Sequence, residues 1–471
     1  MHDIYTRLVA KCLFPFHERL KGHDTVQRRK ALEASQWWPV DRLESHRVLG
    51  LRRLLTHAGQ HVPYYRRLFA TAGFDPAKLQ KTGDIERLPF LTKDLVRANL
   101  DALKSSRAEK LLRFNTGGSS GEPLIFYVGT ERVSHDVAAK WRATRWWGVD
   151  IGDPEIVVWG SPIEIGAQDR ARYVRDRILR TRLLPAFEMS ERNLDRFVAQ
   201  IRRSRPRMLF GYPSALAHIA AHAERRGESL SSLGIKVAFV TSERLYDHQR
   251  LQIERSFGCR VANGYGGRDA GFIAHECPSG GLHVMAEDVI VEIVDPDGRV
   301  VAPGEAGEIA VTHLATRDFP FVRYRTGDVG SIEATACPCG RGLPLLKEVH
   351  GRSTDFVVAQ DGTVLHGLAL IYVLRDLPGI RQFKIVQETL DSVRVELIAE
   401  GALDRRIVHM IESGFRARLG PTVNVAVEPV QSIAPERSGK FRYVASRVDP
   451  SARSTPKRHG RVQLGAKATC K

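Results

Sequence analysis

Cysteine is scarce in this sequence, and no long hydrophobic run occurs in it. Only six of the 471 residues are cysteine, too few for the disulfide framework that is typical of small secreted domains. No window approaches a transmembrane span. The apolar run at residues 4–16 is interrupted by Arg7 and Lys11 and has no small-residue cleavage site, unlike a signal peptide. These absences predict a protein without disulfides or membrane spans, with the cytoplasm as its compartment.

Acidic residues are outnumbered by basic ones, 54 against 71, which gives a formal net charge of +17. Such a charge favours an anionic partner: nucleic acid, a membrane surface, or a polyanionic small molecule such as a nucleotide or coenzyme A. The basic residues are scattered, and no zinc finger, RNP-like or helix-turn-helix signature accompanies them. We therefore expect no nucleic-acid partner. A homodimer is compatible with the sequence, which does not determine an oligomeric state.

The chain is long enough for two or more domains. Its first hundred residues show helical periodicity, with a helix predicted at residues 47–59 that ends at Gly59. Strands and helices then alternate, which predicts βαβ units and a sheet covered on both faces. The predicted strands are residues 155–159, 208–210 and 237–240, and the predicted helices are residues 193–204, 214–226 and 246–257.

From Leu282 the pattern changes to successive strands, predicted at residues 289–294, 307–312 and 321–324. A domain boundary is predicted near residue 349. Beyond it, strands and two helices alternate through residues 349–450, which predicts a small α+β domain, and the basic tail at residues 451–471 is predicted to be disordered.

One loop, residues 115–123, combines three glycines, two serines and a threonine ahead of the strand-like residues 124–128. Glycine lets the backbone adopt left-handed conformations and approach a ligand closely. Consecutive backbone N–H groups and hydroxyls in such a turn can cradle phosphate oxygens. The loop is not a Walker A motif, because no Gly-Lys-Ser/Thr ends it and a strand follows it. An ordinary hairpin turn is the alternative interpretation.

Four later stretches would suit a nucleotide-handling enzyme. Residues 263–269 place an aromatic ring and a carboxylate after a predicted strand, where α/β sheets usually bind ligands. Residues 324–328 are predicted to end a strand with a carboxylate that could bridge two ribose hydroxyls. Residues 351–355 lie at the predicted domain boundary, and residues 436–440 present a lysine on a flexible loop. Each of the four alone is equally consistent with a turn, a cap, a linker or a solvated charge.

Together and in this order, the five stretches resemble the motifs of the adenylate-forming superfamily, the acyl-CoA ligases and their relatives. The resemblance covers roughly residues 45–445 and is greatest to the phenylacetate–CoA ligase family and its capsule-biosynthesis branch. It implies an α/β fold, with a large N-terminal adenylate-forming (AMP-binding) domain at residues 1–348 that has mixed sheets flanked by helices. The domain at residues 349–450 would be a small, mobile α+β lid that carries the catalytic lysine.

The resemblance also implies a role for each matching residue. Asp269 would bind Mg²⁺, Asp328 the ribose, and Lys440 would be the catalytic cation, while Arg352 belongs to the hinge. The remaining nucleotide-binding residues implied by the match are Thr116, Gly117, Gly118, Ser119, Ser120, Gly121, Gly264, Tyr265 and Gly266. The chain departs from the family pattern at Glu122, where many ligases carry lysine, and at Asp269, where glutamate is usual.

The implied reaction has two steps. A carboxylic acid, with an aryl acid such as phenylacetate favoured, attacks the α-phosphate of ATP to give an acyl-adenylate, and coenzyme A then displaces AMP. Two alternatives stay open: transfer of the acyl group to an amine or hydroxyl in surface-polysaccharide assembly, or a non-catalytic descendant that binds nucleotide. We expect the acid to lie near residues 141–147, 159–161, 210–213 and 240–243.

Three of the cysteines form a separate pattern with histidine. Cys277 and His283 precede Cys337 and Cys339 by more than fifty residues. Three thiolates and an imidazole can supply the four positions of a closed, tetrahedral zinc site. His275 is an alternative fourth ligand, and buried free thiols are the alternative to a metal site.

Overall fold

The computed structural model describes residues 3–116, 124–159, 170–186, 189–295, 297–351, 356–375, 377–399, 401, 403–431, 433 and 444–448. Every statement of structure below concerns these residues. Among them, no helix combines the length and the apolar character needed to cross a membrane.

Helices dominate the first hundred residues, as the sequence predicts. The α-helices are α1 (Ile4–Leu8), α2 (Phe14–Leu20), α3 (Thr25–Ser35), α4 (Val40–His61), α5 (Pro63–Ala72), α6 (Lys93–Ala98), α7 (Thr130–Trp146), α8 (Arg170–Ile178), α9 (Glu191–Ser204), α10 (Pro213–Arg225), α11 (Asp247–Phe257), α12 (Leu368–Arg375) and α13 (Arg405–Leu419).

Strands begin at the hairpin that flanks the glycine-rich loop. They are β1 (Leu111–Asn115), β2 (Ile125–Gly129), β3 (Glu155–Trp159), β4 (Thr181–Pro185), β5 (Met208–Gly211), β6 (Val237–Thr241), β7 (Arg260–Gly267), β8 (Gly271–Glu276), β9 (Leu282–Val284), β10 (Val289–Val294), β11 (Gly307–His313), β12 (Tyr324–Glu333), β13 (Leu345–Gly351), β14 (Phe356–Val358), β15 (Val364–His366), β16 (Ile380–Thr389), β17 (Ser392–Ala399), β18 (Asn424–Pro429) and β19 (Val444–Ser446).

A mixed sheet of eleven strands organises the larger part of the molecule, in the order β10-β11-β12-β13-β9-β8-β7-β6-β5-β3-β4. The five neighbouring strands β7, β6, β5, β3 and β4 pair parallel, and all other neighbours in this sheet pair antiparallel. Every residue of β5 and β6 is buried, as expected for parallel strands that helices cover on both faces. The parallel strands therefore end at one edge, where ligands of α/β sheets usually bind.

Helix α4 packs its apolar face on this body through Leu51, Leu54 and Leu55, each at most 1% exposed. Burial of each such side chain contributes roughly 1.5–3 kcal/mol. The prediction that this helix ends at Gly59 is wrong: it continues to His61 and stops before Pro63. Proline lacks an N–H and disfavours helical geometry in the residue before it, so Val62 is extended instead.

The strand predicted at residues 321–324 begins only at its last residue. Arg323 has a φ of 49°, a left-handed conformation that interrupts an extended backbone. Its guanidinium is 3% exposed and pairs with Glu292 at 2.9 Å. Tyr324 opens β12, so residues 324–328 lie at the start of a strand and not, as the sequence suggested, at its end.

The C-terminal part contains a separate four-stranded sheet in the order β18-β17-β16-β19. Helices α12 and α13 cover it around a core of Ile385, Leu397 and Phe415. This matches the predicted small α+β domain in its elements. The hinge residues Arg352 and Asp355 and the tail at residues 451–471 lie outside the described residues.

Candidate active site and a cysteine–histidine cluster

The glycine-rich loop joins the two strands of a short antiparallel hairpin, in which Asn115 pairs with Ile125 and Leu111 with Gly129. Thr116 closes the neck of the loop. Its backbone N–H donates to the carbonyl of Leu124 at 3.0 Å, and its hydroxyl accepts from the Leu124 N–H at 3.0 Å. Gly117, Gly118, Ser119, Ser120, Gly121 and Glu122 lie outside the described residues.

The stretch at residues 263–269 begins within β7, which runs through Gly264, Tyr265 and Gly266 instead of stopping before them. Close packing requires glycine at 266 and leaves little room for a side chain at 264. A Cβ at Gly266 would lie 2.2 Å from the carbonyl of Gly271, and one at Gly264 would lie 3.0 Å from the Phe239 ring. Arg268 donates to the carbonyl of Asn115 at 3.5 Å. The end of β7 is thus adjacent to the neck of the glycine-rich loop.

Two tyrosine–aspartate hydrogen bonds join this motif to the start of β12. The Tyr265 hydroxyl donates to Asp328 Oδ2 at 3.0 Å. In the reciprocal direction, the Tyr324 hydroxyl donates to Asp269 Oδ2 at 2.6 Å. The pKa of Tyr265 is raised well above its usual value, mainly by burial and to a lesser extent by the neighbouring Asp328 carboxylate. The phenol therefore stays protonated and acts as a donor. The two carboxylates that the sequence singled out are therefore brought to one place and held there.

Arg132 is a site residue that the sequence analysis missed. Its side chain, 2% exposed, pairs through Nε with Asp136 at 2.9 Å, and its terminal nitrogens approach the carbonyl of Asp269 at 3.4 and 3.5 Å. It thereby supports the backbone that positions the Asp269 carboxylate. A single arginine on a helix among 71 basic residues carries no local signal of this role.

The edge of the sheet beside β7 carries aromatic rings. Trp159 stacks on Tyr212 at 4.3 Å between ring centroids and on Phe210 at 5.9 Å. These rings lie at the ends of β3 and β5, two of the positions expected for the acid. Trp141, a third expected position, is instead packed against Phe14 at the N-terminal helices, with centroids 5.1 Å apart, so it does not line this edge.

Glu243 lies just beyond the end of β6, on the same edge. Its Oε2 accepts a hydrogen bond from the Ser214 backbone N–H at 3.2 Å. Burial raises the pKa of this carboxyl group to about 7. A carboxyl group with a raised pKa at a sheet edge expected to bind a ligand is a functional candidate, since such shifts are common at ligand sites.

Two further residues, Lys440 and Arg352, are expected to act at this site. Both lie outside the described residues. Their roles stay predictions.

The four cysteine and histidine side chains predicted to bind zinc do converge. The ligand atoms of Cys277, His283, Cys337 and Cys339 all lie within 4.8 Å of one another. Cys277 Sγ is 3.6 Å from Cys337 Sγ, and His283 Nε2 is 3.1 Å from Cys339 Sγ. Zn–S bonds of about 2.3 Å at tetrahedral angles place two sulfurs about 3.8 Å apart. The arrangement therefore fits a closed tetrahedral zinc site.

The surroundings of the cluster fit the same interpretation. His283 Nδ1 lies 3.2 Å from the carbonyl of Leu343, a bond that fixes the ring and leaves Nε2 free to bind a metal. Gly281 is required, because a Cβ there would lie 2.6 Å from Cys337 Sγ. His275 packs between the rings of Phe239 and Phe272 and does not belong to the cluster. Of the two candidate histidines, His283 is the one at the site.

Comparison with known proteins adds two family matches. Residues 182–315 match the model of the AMP-binding enzymes, and residues 357–447 match the model of the CapK C-terminal domain. The chain is 25% identical over 376 residues to the protein CapK of Staphylococcus aureus, and the aligned region covers 78% of this chain and 81% of CapK. It is 27% identical over 390 residues to the phenylacetate-coenzyme A ligase of Pseudomonas putida, covering 81% and 84% of the two chains.

Solved structures confirm the fold. The 2-hydroxyisobutyryl-CoA ligase in complex with 2-HIB-AMP and CoA superposes with a TM-score of 0.64 at 21% identity, over 87% of this chain and 91% of that one. The fold and these matches support the adenylate-forming superfamily. Within that superfamily, the relatives that the chain resembles are phenylacetate–CoA ligases and CapK.

Proposed function

We propose that this chain activates a carboxylic acid with ATP, as an acyl-adenylate, and transfers the acyl group to coenzyme A. The observation that carries the proposal is the reciprocal pair of bonds, Tyr265 to Asp328 and Tyr324 to Asp269, at the neck of the glycine-rich loop. It joins the stretches that we assign to adenine, ribose and metal, next to Asn115 at the neck of the glycine-rich loop. The relatives named as CoA ligases support the same reaction.

Each nucleotide contact has a residue suited to it. The backbone around Gly264, Tyr265 and Gly266 offers a flat, close surface for the adenine ring. Asp328, which accepts the Tyr265 hydroxyl through Oδ2, offers its carboxylate to the ribose hydroxyls. The loop from Thr116 to Gly121 would cradle the phosphates through its N–H groups and hydroxyls.

Asp269 fits the role of a magnesium ligand. Each carboxylate oxygen has two lone pairs, and Asp269 accepts one bond on Oδ2 from Tyr324 and one on Oδ1 from the Ala270 N–H. Acceptor capacity is therefore left on both oxygens, for the ion or for a water bound to it. Mg²⁺ neutralises phosphate charge when bound. Lys440 would supply a second positive charge to the in-line oxygens.

The bonds made and broken follow from this arrangement. A carboxylate oxygen of the acid attacks the α-phosphorus of ATP, and the bond from that phosphorus to the bridging oxygen breaks to release pyrophosphate. The sulfur of coenzyme A then attacks the acyl carbon. The bond from that carbon to the phosphate oxygen breaks, AMP leaves, and the thiol proton passes to solvent. The small domain would move Lys440 in for the first step and away for the second, turning at Arg352.

An aryl acid such as phenylacetate is the substrate class that we favour. The stacked rings of Trp159, Tyr212 and Phe210 at the strand ends offer flat surfaces against which an aromatic acid can stack. Glu243 beside them adds a group that can accept or donate a hydrogen bond according to pH.

Transfer to an amine or hydroxyl in surface-polysaccharide assembly is the second candidate. The match of residues 357–447 to the CapK C-terminal domain supports it, because the capsule-biosynthesis branch is the part of the family for which we expect such an acceptor. Both candidates predict release of pyrophosphate. They differ in the acceptor that releases AMP from the enzyme-bound adenylate.

The experiment follows AMP release in the presence of ATP, Mg²⁺ and an acid that supports pyrophosphate release. We expect AMP release to depend on added coenzyme A and to yield a thioester. AMP release that is independent of coenzyme A and requires an amine or hydroxyl acceptor would favour the second candidate.

We further propose that Cys277, His283, Cys337 and Cys339 hold a structural zinc ion. Their geometry, given above, leaves no open coordination position for substrate, so the ion would stabilise the fold and take no part in adenylation. It would join the segment before β9 to the segment before β13. A cytoplasmic location and a homodimer also remain proposals.

A further inference from the structure

A polar cleft lies at the base of the β1–β2 hairpin. Its volume is about 770 Å³, within the range of sites that hold small organic ligands. Helix α4 forms one wall, and the start of α3, the start of α7 and the segments before β10 and after β11 form the others. Leu54 and Leu314 are the only hydrophobic side chains among its lining residues. Polar side chains therefore outnumber hydrophobic ones in the lining.

The cleft is separate from the proposed nucleotide site. Glu131, on its wall, follows directly after β2, whose last residue Gly129 pairs with Leu111 at the far end of the hairpin from Thr116. Four residue steps of an antiparallel strand span about 14 Å. The cleft thus lies at one end of the hairpin, and the glycine-rich loop is attached to the other end.

One face of α4 supplies most of the polar lining. His46, Gly50, Arg53, His57 and Gln60 recur at intervals of three or four residues, the spacing that places side chains on one side of a helix. Leu51 and Leu55, on another side of the helix, are buried and anchor it. The cleft is therefore built on a rigid element.

Positive charge exceeds negative charge in the lining. Four arginines face two carboxylates, and the carboxylates are already engaged. Glu131 is shared between Arg28 at 3.1 Å and Arg317 at 2.8 Å. Asp288 faces the buried ring of His135 at 3.4 Å.

The two central arginines have only neutral partners among the residues that the structure describes. Arg52 donates to the carbonyl of Leu79 at 2.5 Å, and Arg53 donates to the carbonyl of Leu49 at 3.3 Å. No carboxylate of the described residues pairs with either guanidinium, so both charges are available to an anionic ligand.

We propose that this cleft is a second ligand site, for a phosphorylated small molecule of nucleotide or sugar-phosphate size. Arg52 and Arg53 bind its phosphate, since guanidinium groups match phosphate oxygens in charge and geometry. His57, whose Nε2 lies 2.9 Å from the Ser105 hydroxyl, and Gln60 are placed for neutral hydrogen bonds to the rest of the ligand. The proposal does not depend on the adenylation reaction.

Calorimetric titration with pyrophosphate and with inorganic phosphate tests the proposal on the full chain. EDTA is included, so that Mg²⁺-dependent binding at the nucleotide site does not contribute. We expect saturable binding to the unmodified protein and a loss of affinity of about tenfold to hundredfold in Arg52→Gln/Arg53→Gln, the usual effect of removing charge-assisted hydrogen bonds. Since Arg52 also binds Leu79, the exposed Arg53→Gln variant alone carries the test if the double variant does not fold.

One control variant locates the binding. Arg203→Gln removes an exposed arginine from α9, away from the cleft, and should bind the probes as the unmodified protein does. Unchanged affinity in the cleft variants, an equal loss of affinity in Arg203→Gln, or no saturable binding to the unmodified protein would each overturn the proposal.

Discussion

At the residue scale, Tyr265 and Tyr324 each place a phenol hydroxyl on a carboxylate of the other motif. The residues of these motifs are evident in the sequence, but their pairing is not. Tyr265 and Asp328 are 63 positions apart, and Tyr324 and Asp269 are 55 apart. Contacts over such separations depend on the strand order of the sheet, which local patterns do not specify. The same reason explains why Arg132 was missed.

Asp328 provides the first prediction at this scale. Asp328→Ala should weaken ATP binding by about tenfold or more, because charge-assisted bonds to ribose hydroxyls contribute roughly 1.5–3 kcal/mol. Calorimetric titration with ATP measures the effect, and an unchanged melting temperature serves as the control for folding. Nucleotide affinity equal to that of the unmodified protein would show that Asp328 does not bind the ribose.

Glu243 provides a prediction about pH. Burial raises its pKa from 4.5 to about 7 in the folded state, so the folded protein binds the proton more tightly than the unfolded chain does. Stability from this group is therefore lost as pH rises from about 4.5 to 7. We expect the unmodified protein to lose melting temperature across this range relative to Glu243→Gln, which keeps an acceptor for the Ser214 N–H. Parallel melting curves at every pH would contradict the assignment.

At the scale of elements, the sequence predicts which segments are helices and strands better than where they begin. β3 and β10 have the predicted bounds, because alternating apolar runs are bounded by turn residues. β12 starts later than expected because Arg323 adopts a left-handed conformation to reach Glu292, a tertiary contact that the local sequence does not reveal. α4 runs past Gly59 because Pro63, and not the glycine, ends it.

The cysteine–histidine cluster joins elements that are far apart in sequence, and it provides a prediction about metal. Purified protein should contain about one zinc ion per chain, and Cys337→Ser should lower both the metal content and the melting temperature. Cys12→Ser is the matched control, because Cys12 is exposed and outside the cluster. Chelation should lower the melting temperature of the unmodified protein. A metal-free protein whose stability does not change on Cys337→Ser would mean that the thiols are only buried side chains.

At the scale of the whole molecule, an eleven-stranded sheet carries the candidate site and a smaller four-stranded domain follows it. The sequence predicts the strands and helices of both parts. It does not predict the order of strands in the large sheet, since pairing between distant strands leaves no periodic signal in the chain. The movement of the small domain also remains a prediction, because it concerns residues outside the described part of the chain.

Lys440 provides the prediction that belongs to this scale. Lys440→Ala should reduce adenylation by about 10²–10³-fold, the effect of removing one stabiliser of transition-state charge. Thioester formation from a supplied acyl-adenylate should be spared, since the small domain would carry Lys440 away for that step. Rapid-quench measurement of each half-reaction separates the two effects. Equal losses in both half-reactions would assign Lys440 a structural role.

The most direct test of the central claim is acid-dependent exchange of labelled pyrophosphate into ATP, measured with Mg²⁺ across aryl, fatty and hydroxy acids. We predict exchange that requires an acid, is greatest with an aryl acid and is greatly reduced in Asp269→Ala. Exchange is the reversal of adenylation, so it needs no knowledge of the final acceptor. Absence of exchange with every acid, from folded protein that still binds ATP, would contradict adenylation and leave a nucleotide-binding protein without this activity.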